Sequence, residues 1–254
     1  MSLKVRENES NRIAAFITET VNEAHARGVV VGLSGGIDSA VVGALCVKAL
    51  GKNNVLALLM PSNSTPRKDL EDARKLASSW GIRHEEIPIS GLVETITGSM
   101  ARGTKVAKAN VQARVRMILN YYRANSLGYL VAGTGDRSEE SLGYFTKWGD
   151  GGADFLPIAH LYKTQVRELG ARLGLPKEVV EKPASPQLWP GQRAIDEIPA
   201  DYDKLDIALH YLFDLKAKPA EAAAESHLPR GVVNKALEMH AKTEHKRKLP
   251  PSLA

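Results

Sequence analysis

The chain is poor in cysteine and has no long apolar run. Its single cysteine, Cys46, excludes an intrachain disulfide. This agrees with a reducing compartment, so we expect a cytoplasmic protein. No stretch approaches the roughly 18 apolar residues of a membrane-spanning helix, and the polar N-terminal residues lack the apolar region of a signal peptide. We therefore expect no membrane partner, although a hydrophobic fraction of 43% in 254 residues suffices for a substantial core.

Aromatic residues are also scarce, with three Trp, four Phe and seven Tyr, and they are not interleaved with basic residues. The net charge of +5 is spread along the chain, except for a basic run at residues 245–248. Nucleic-acid-binding domains usually concentrate basic and aromatic side chains on one surface. We therefore expect small polyanionic ligands and no nucleic-acid partner.

Two kinds of segment alternate along the first half of the chain. Short apolar runs predict strands at residues 29–33, 55–60 and 129–133, and a further strand is expected around residues 82–89. Apolar residues at three- and four-residue spacing predict helices at residues 8–27, 37–50, 67–80 and 104–126. The last of these helices has a predicted apolar stripe that consists of Val111, Val115, Ile118, Leu119 and Tyr122.

This alternation predicts a Rossmann-like, doubly wound α/β fold with a mostly parallel sheet, whose ligands bind beyond the carboxyl ends of the strands. Residues 134–160, which are rich in Gly and Asp, are predicted to form an ordered loop over that edge. Residues 199–254 are predicted to be a helical extension with a basic C-terminal segment. We thus expect a single domain over residues 1–254, with its α/β core at residues 8–198.

The most specific local pattern is the string SGGIDS at residues 34–39, which follows a predicted strand and opens a predicted helix. Its glycines and the free amides of the helix N-terminus make an anion site, to which Ser34 and Ser39 add hydroxyl donors. Asp38 places a negative charge there, and a phosphate-bound Mg²⁺ would balance that charge. A glycine turn with a capped helix is the alternative. No Walker A pattern, GxxxxGK[ST], occurs in the chain.

The string SGGIDS resembles the PP-loop, SGGxDS, of the adenine-nucleotide α-hydrolase superfamily. Members of that superfamily cleave ATP between the α and β phosphates and transfer AMP to an acyl or carbonyl oxygen. They include NAD, GMP and asparagine synthetases and tRNA-modifying enzymes, among which the loop alone does not choose. The resemblance implies ATP as co-substrate and Mg²⁺ as cofactor, and ATP contacts by Gly32, Leu33, Ser34, Gly35, Gly36, Ile37, Asp38 and Ser39.

Further segments resemble NAD synthetases. The string NVQARVRM at residues 110–117 is similar to the family helix N-[IV]-x-A-R-x-R-M, which implies a contact between Arg114 and the substrate deamido-NAD. The string GTGDRSE at residues 133–139 implies an ATP contact by Thr134 and ligation of Mg²⁺ by Glu139 together with Asp38. The alternatives are solvated helix arginines and a turn before a capped helix.

The most discriminating match is FTKWGDGGADFLP at residues 145–157, which is similar to the family pattern [FY]-T-K-x-G-D-G-x-x-D-[IL]-x-P. It implies deamido-NAD contacts by Lys147 and Asp154. We assign Asp150 to the incoming ammonium, because a carboxylate can orient ammonium and accept the proton that must leave before the nitrogen attacks. For this loop taken alone, a solvated acidic turn is the alternative.

Two segments nearer the C-terminus complete the predicted ATP site. In LYKTQVR, residues 161–167, Lys163 matches the family's second ATP lysine, with snorkelling to solvent as the alternative. The segment at residues 183–192 is similar to the family pattern P-[ST]-A-x-L-x-x-G-Q and implies an ATP contact by Ser185. It departs from that pattern because Pro186-Gln187 replaces the alanine, which weakens the assignment of Ser185.

The basic C-terminal string, HKRKLP at residues 245–250, is similar to the family pattern H-K-R-x-x-P. It implies that His245 and Lys246 close on deamido-NAD. Four basic residues near a terminus otherwise form a solvated tail, which is the alternative.

Together, the resemblance implies a ligase that transfers AMP from ATP to the nicotinate carboxylate of deamido-NAD and then lets free ammonia displace AMP. Asp38, Lys163 and Asp150 are the predicted catalytic residues. The lone cysteine leaves no glutaminase in this chain, although a separate glutaminase subunit stays an alternative source of ammonia. The family's enzymes are homodimers, and the helices predicted at 8–27 and 104–126 are interface candidates unless they are core.

Two other hypotheses are retained. One is a different PP-loop enzyme, such as a GMP synthetase ATPase subunit or a tRNA-modifying ligase. The other is a non-catalytic ATP-binding module on the same sheet. Adenylation assays with xanthylate or tRNA test the first, and binding of ATP without release of pyrophosphate in the presence of deamido-NAD would favour the second.

Overall fold

The computed structural model describes residues 3–253 and contains one parallel sheet with helices on both faces. Its four strands lie in the order β3-β2-β1-β4, and all three neighbouring pairs are parallel. Their bounds are β1 (Val29–Gly32), β2 (Val55–Leu59), β3 (Arg83–Glu86) and β4 (Leu130–Ala132). The predicted doubly wound α/β fold class is confirmed.

Eleven α-helices connect and cover these strands within residues 3–253. The helices before the last strand are α1 (Glu9–Glu23), α2 (Ile37–Leu50), α3 (Arg67–Trp80), α4 (Ser90–Gly98) and α5 (Lys105–Leu127). The helices after it are α6 (Arg137–Leu142), α7 (Lys163–Arg172), α8 (Lys177–Val180), α9 (Tyr202–Leu209), α10 (Pro219–Ser226) and α11 (Arg230–Lys242). No helix within the described residues is long and apolar enough to cross a lipid bilayer.

Successive side chains of the strands pack into two separate apolar cores, one on each face of the sheet. In β1, Val29 and Val31 pack with α1, α2, α3 and α7 on one face, whereas Val30 packs with α4 and α5 on the other. This is why β1 is an uninterrupted valine run, since a strand that is covered on both faces needs apolar side chains at every position.

The longest helix, α5, lies on the sheet differently from the prediction. Its buried residues include three alanines, Ala109, Ala113 and Ala124, whereas Ile118 and Tyr122 of the predicted stripe are 56% and 66% exposed. The small side chains let the helix approach its neighbours closely, so the larger apolar side chains turn outward. The predicted stripe was therefore wrong for Ile118 and Tyr122.

Helices α4, α6 and α8 were not predicted. Helix α4 follows β3, and α6 lies inside the segment 134–160 that was predicted to be a loop. Helix α6 has only six residues, and Asp136 caps it by accepting a hydrogen bond from the Glu139 N–H. A helix this short is fixed by its cap and its tertiary contacts rather than by a periodic pattern.

The C-terminal extension packs against the end of the sheet domain that carries α6 and α7. One apolar cluster joins Leu142 of α6 and Tyr162, just before α7, to Leu205 and Leu209 of α9. A second cluster joins α9 to α10 and α11. The extension therefore lies beside the segment that leads from β4, at the edge where the fold is expected to bind ligands.

Candidate active site

A cavity of about 440 Å³ opens beyond the carboxyl ends of the strands. Leu33 follows β1, Met60 follows β2 and Gly133 follows β4, and all three line it. Most of the segment 183–192 also contributes to its lining. The cavity thus lies where a doubly wound sheet is expected to bind its ligand.

The loop at residues 34–39 is shaped to receive an anion. Gly35 has a φ of +79°, and a Cβ there would lie 2.2 Å from the Asp69 carbonyl oxygen, so only glycine fits. The Ser39 hydroxyl donates to the Gly36 carbonyl (3.1 Å) and accepts from the Ser34 N–H (3.2 Å). Helix α2 begins directly after Gly36 without a side-chain cap, which leaves its N-terminal amides for a ligand.

Lys163, the first residue of α7, has its ammonium buried among three carboxylates. Its Nζ lies 2.7 Å from Asp38 Oδ2 and 2.9 Å from both Asp136 Oδ2 and Glu139 Oε1. The Lys163 side chain is 1% exposed and that of Asp136 is 0% exposed. We call these four residues the lysine–carboxylate cluster. When all four are ionised, the cluster is net negative and attracts a further cation.

Burial and charge oppose each other in this cluster. Burial alone would lower the pKa of Lys163, but the three carboxylates hold that pKa well above its ordinary value. Burial raises the pKa of Glu139 well above its ordinary value and also raises the pKa of Asp136, despite the nearby ammonium. Lys163 is therefore firmly charged, whereas Glu139 and Asp136 take up protons more readily than exposed carboxylates.

Asp38 and Glu139 fit the predicted Mg²⁺ in their donor chemistry. Asp38 Oδ1 is buried and has no hydrogen-bond partner among residues 3–253, and Mg²⁺ prefers carboxylate oxygens. The Lys163 ammonium lies between the carboxylates, and in the described part of the chain no three His, Cys, Asp or Glu side chains are arranged to hold a metal ion alone. Phosphate oxygens of a bound nucleotide would complete the coordination.

Asp206 of α9 links the helical extension to this cluster. Its carboxylate accepts hydrogen bonds from Ser138 Oγ (2.6 Å) and from both the N–H and the Oγ1 of Thr164 (2.8 Å each). Ser138 Oγ in turn accepts from the Lys163 N–H (2.9 Å). Burial raises the pKa of Asp206 to about 7 although these donors oppose the rise. One buried carboxylate thus holds the backbone from which Lys163 extends.

Asp150 and Lys246 face the same cavity. Asp150 Oδ1 accepts from the Thr146 N–H (2.9 Å), and Lys246 Nζ donates to the carbonyls of Gly143 (2.7 Å) and Phe145 (2.6 Å). Although Asp150 is open to the cavity, burial by the surrounding protein raises its pKa and lowers the pKa of Lys246. Both shifts bring these groups closer to neutral pH, where proton transfer is most effective.

The structure brings most of the predicted ATP residues together. Thr134, Ser185 and Lys163 line the cavity, as do all residues from 32 to 39 except Gly35. Ser185 Oγ donates to the Gln192 carbonyl (2.5 Å) and accepts from the Gln187 N–H (3.2 Å). The Ser185 hydroxyl therefore shapes the segment 183–192 as well as facing the cavity.

Of the predicted deamido-NAD residues, only Lys246 belongs to the cavity lining. Three others form a chain of contacts outside it, because Arg114 Nη2 donates to the Lys147 carbonyl (3.2 Å) and Lys147 Nζ donates to the His245 carbonyl (2.5 Å). Arg114 lies on α5, next to the face that exposes Ile118. We call these three residues the basic rim.

Asp154, the remaining predicted deamido-NAD residue, is bonded within the fold. Its Oδ2 accepts from the Val131 N–H of β4 (2.7 Å) and its Oδ1 accepts from the Tyr121 hydroxyl (3.1 Å). Burial, followed by the nearby Asp154 carboxylate, raises the pKa of Tyr121 to about 12. Asp154 thus attaches the loop after Gly152 to the edge of the sheet, outside the cavity lining.

Asp136 of the lysine–carboxylate cluster and Lys182 of the cavity lining are among the charged residues of the site that the sequence analysis did not predict. Asp136 lies inside the quoted string GTGDRSE, and its position as an Asp before a short helix was a usable signal. Lys182 contacts the 34–39 loop and α3, and no local pattern marks it. Its partners lie more than a hundred residues away in the sequence.

Comparison with known proteins finds related sequences over nearly the whole chain. Residues 9–250 match the NAD synthase family. The chain is 48% identical to the NH₃-dependent NAD⁺ synthetase of Hyperthermus butylicus over 248 residues, which cover 97% of this chain and 90% of that protein.

Two solved structures are similar in fold. The NH₃-dependent NAD synthetase of Campylobacter jejuni, in complex with a nitrate ion, has a TM-score of 0.84 at 31% identity, with 98% of each chain covered. The NMN synthetase of Francisella tularensis has a TM-score of 0.87 at 34% identity, with 97% of this chain and 98% of that chain covered.

Proposed function

The chain belongs to the NAD synthase family and catalyses ammonia-dependent NAD synthesis, and we propose that the cavity beyond the sheet performs both half-reactions. The observation that carries this proposal is the convergence of the 34–39 loop and the lysine–carboxylate cluster on one cavity. The loop offers amides to phosphates. The cluster offers a buried ammonium together with carboxylates for a phosphate-bound cation.

In the first half-reaction, a nicotinate carboxylate oxygen of deamido-NAD attacks the α-phosphorus of ATP. The bond from that phosphorus to the bridging oxygen of the β-phosphate breaks, and pyrophosphate leaves. The 34–39 loop and the N-terminus of α2 bind the β and γ phosphates, while Lys163 meets the charge that develops on the leaving oxygens. Mg²⁺ bound by Asp38 and Glu139 would neutralise phosphate charge. The product is a mixed anhydride, whose carbonyl is a far better electrophile than a carboxylate.

In the second half-reaction, ammonia attacks the activated carbonyl and AMP leaves. We assign Asp150 to the ammonium ion, because the raised pKa of its carboxyl group suits a group that accepts a proton near neutral pH. Lys246 faces the same cavity, and it balances the charge of Asp150 and of the departing phosphate. No covalent bond to the protein is required, in agreement with a single cysteine that is buried in α2.

We further propose that the rest of the deamido-NAD site forms at a homodimer interface. The basic rim lies outside the cavity lining, beside the face of α5 that exposes Ile118 and Tyr122. Phe16 of α1 is also 43% exposed, although its ring lies 6.1 Å from that of the buried Phe155. Large apolar side chains exposed together mark interaction surfaces. A second subunit against α1 and α5 would cover them and enclose the substrate.

The unpaired, buried Cys46 supports a reducing, cytoplasmic location as part of the same proposal.

The experiment that tests this function measures pyrophosphate and NAD together. The protein is incubated with ATP, Mg²⁺, ammonium and one acceptor, which is either deamido-NAD or nicotinate mononucleotide. The second acceptor is included because the Francisella tularensis relative is an NMN synthetase. We expect equal amounts of NAD and pyrophosphate with deamido-NAD, and little pyrophosphate with the mononucleotide.

Each other outcome contradicts a part of the proposal. Faster turnover of nicotinate mononucleotide would move the activity to NMN synthesis. If neither acceptor releases pyrophosphate, the assay is repeated with xanthylate or tRNA, and release with one of these alone would identify a different PP-loop enzyme. Binding of ATP without any pyrophosphate would identify a non-catalytic module.

A further inference from the structure

Lys182 has its ammonium in contact with the loop that binds phosphate. Nζ donates to the Gly35 carbonyl (2.8 Å), to Asp69 Oδ1 (2.9 Å) and to Asp72 Oδ2 (2.8 Å). An ammonium has three N–H groups, so these three acceptors satisfy it completely. Lys182 is 16% exposed, and the carboxylates of Asp69 and Asp72 are 8% and 2% exposed. The contact is thus a built feature of the cleft rather than a surface ion pair.

The hydrogen bond from Lys182 to the Gly35 carbonyl constrains the Gly35–Gly36 peptide of the anion-binding loop. In a planar trans peptide the carbonyl and the next N–H point in opposite directions. When Lys182 holds the Gly35 carbonyl, the Gly36 N–H must point away from Lys182. Gly36 and Lys182 both line the cavity, and the Gly36 N–H, which donates to Ser34 Oγ (3.3 Å), directly precedes the uncapped N-terminus of α2. Fixing this one carbonyl therefore orients an amide of the anion site.

Asp69 connects the same ammonium to the segment 183–192. Its Oδ2 accepts a hydrogen bond from the Gln187 amide group, and its backbone carbonyl is the atom that would clash with a side chain at Gly35. The segment is also held from elsewhere, since Ser64 Oγ donates to the Gln187 carbonyl (2.7 Å). Lys182 thus lies between the phosphate loop, the first turn of α3 and a wall of the cavity.

Asp72 is stabilised as a carboxylate by two lysines. Burial raises the pKa of Asp72, but hydrogen bonds and charge from Lys182 and Lys68 outweigh burial and hold the pKa below its ordinary value. Lys68 lies on α3 itself and binds the other Asp72 oxygen (3.1 Å) through a side chain that is 63% exposed. Lys68 is therefore a natural control for Lys182.

We infer that Lys182 is a positioning residue for the phosphates of ATP, which acts through the Gly35–Gly36 peptide and couples that peptide to the segment 183–192. The inference rests on the proposed function, because it needs the 34–39 loop to bind ATP and pyrophosphate. It does not require Lys182 to touch a phosphate. Without Lys182, the Gly35 carbonyl loses its ammonium partner and the Gly35–Gly36 peptide is held less firmly, so part of the loop's order must be restored when a phosphate binds.

The test compares steady-state kinetics of the wild type, Lys182→Met and Lys68→Met. Losing one charged hydrogen bond to a binding loop corresponds to about a tenfold or greater effect. We expect Lys182→Met to raise the KM for ATP about tenfold and to weaken product inhibition by pyrophosphate by a similar factor. The KM for deamido-NAD should stay within about twofold. Lys68→Met should match the wild type in all three quantities.

A second variant keeps the test decisive if Lys182→Met is unstable. Lys182→Met leaves the Asp69 carboxylate buried without its cation, so the double variant with Asp69→Asn removes that charge as well. We expect the double variant to recover wild-type thermal stability while keeping the weaker binding of ATP and pyrophosphate. A merely structural role predicts that stability and ATP binding recover together, and that result would overturn the inference.

A rise in the KM values for ATP and deamido-NAD by the same factor would also overturn it, because it would indicate general loosening of the cavity. The wild type in the same assay distinguishes failure of the proposed function from failure of the role of Lys182. If the wild type releases no pyrophosphate, the proposed function fails. If the wild type is active and both Lys182 variants bind ATP normally, only the role of Lys182 fails.

Discussion

Replacing Lys163 by methionine tests whether its ammonium holds the lysine–carboxylate cluster together. The substitution keeps the apolar length of the side chain but removes the charge that lies 2.7 to 2.9 Å from Asp38, Asp136 and Glu139. Each pair, at an effective dielectric constant of about 20, attracts by roughly 6 kcal/mol. Most of that attraction offsets the cost of burying the charges, and breaking a buried pair typically costs about 3–5 kcal/mol.

A loss of this size is a large part of the total stability of a domain, which is about 5–15 kcal/mol. The remaining carboxylates respond by taking up protons. Burial already raises the pKa of Glu139 and Asp136, and loss of the ammonium raises both pKa values further. A carboxyl group whose folded pKa exceeds its unfolded pKa contributes stability at low pH and loses it as the pH rises. The variant should therefore be least stable relative to the wild type at high pH.

The assay is urea unfolding of the wild type and Lys163→Met at about pH 5.5 and about pH 8. We expect a loss of about 3–5 kcal/mol at the higher pH and a clearly smaller loss at the lower pH. The double variant with Asp136→Asn is the matched control. It removes one of the three carboxylates that have lost their ammonium partner, so it should recover part of the lost unfolding free energy. An exposed ion pair contributes less than about 1 kcal/mol. A loss of unfolding free energy within that range, equal at both pH values, would refute this account of the cluster.

Three further predictions follow from other parts of the structure. Gly35→Ala should abolish ATP binding by calorimetry, because its φ of +79° and the Asp69 carbonyl 2.2 Å from the new Cβ exclude a side chain. Burial raises the pKa of Asp206 from an ordinary 3.8 to about 7, so the wild type loses stability relative to Asp206→Asn as the pH rises. The difference between their unfolding free energies should fall by up to about 1.4 kcal/mol per pH unit between about pH 4 and pH 7. A difference that stays constant with pH would show that burial does not control the pKa of this carboxyl group. Ile118→Glu should produce monomers in analytical ultracentrifugation and weaken deamido-NAD binding, whereas unchanged mass and affinity would exclude the α5 face as the interface.

The sheet was predictable because its sequence signal is local. The runs that became β1 and β2 are apolar at every position, as burial on both faces requires, and their order along the chain fixed the parallel topology. The third strand is shorter than predicted, Arg83–Glu86 instead of 82–89, since an edge strand has one paired neighbour and little apolar pattern to mark its ends.

Helix α5 shows where a local pattern fails. Apolar residues at helical spacing predict a buried stripe, but Ile118 and Tyr122 are exposed while alanines carry the packing. The spacing identifies an apolar face and does not say what covers it. A second subunit that buries Ile118 and Tyr122 would reconcile the pattern with the structure.

Residues that line the candidate site were indicated by the sequence where one short segment carries them, and were missed where distant segments meet. The 34–39 loop and the string that contains Glu139 are continuous, so the sequence displays them directly. Lys182 meets Asp69 across 113 residues, and Asp206 meets Ser138 across 68. Such contacts are created by the tertiary fold, and no spacing rule within one segment reveals them.

The most direct test of the central claim compares the wild type with Asp38→Ala, measuring NAD and pyrophosphate from ATP, Mg²⁺, ammonium and deamido-NAD. The account predicts equal amounts of the two products from the wild type. It predicts that both products are lost together in Asp38→Ala, while circular dichroism shows that the variant is folded. NAD formation at the wild-type rate by folded Asp38→Ala would contradict the account, because the reaction would then not depend on the cavity formed by the 34–39 loop and the lysine–carboxylate cluster.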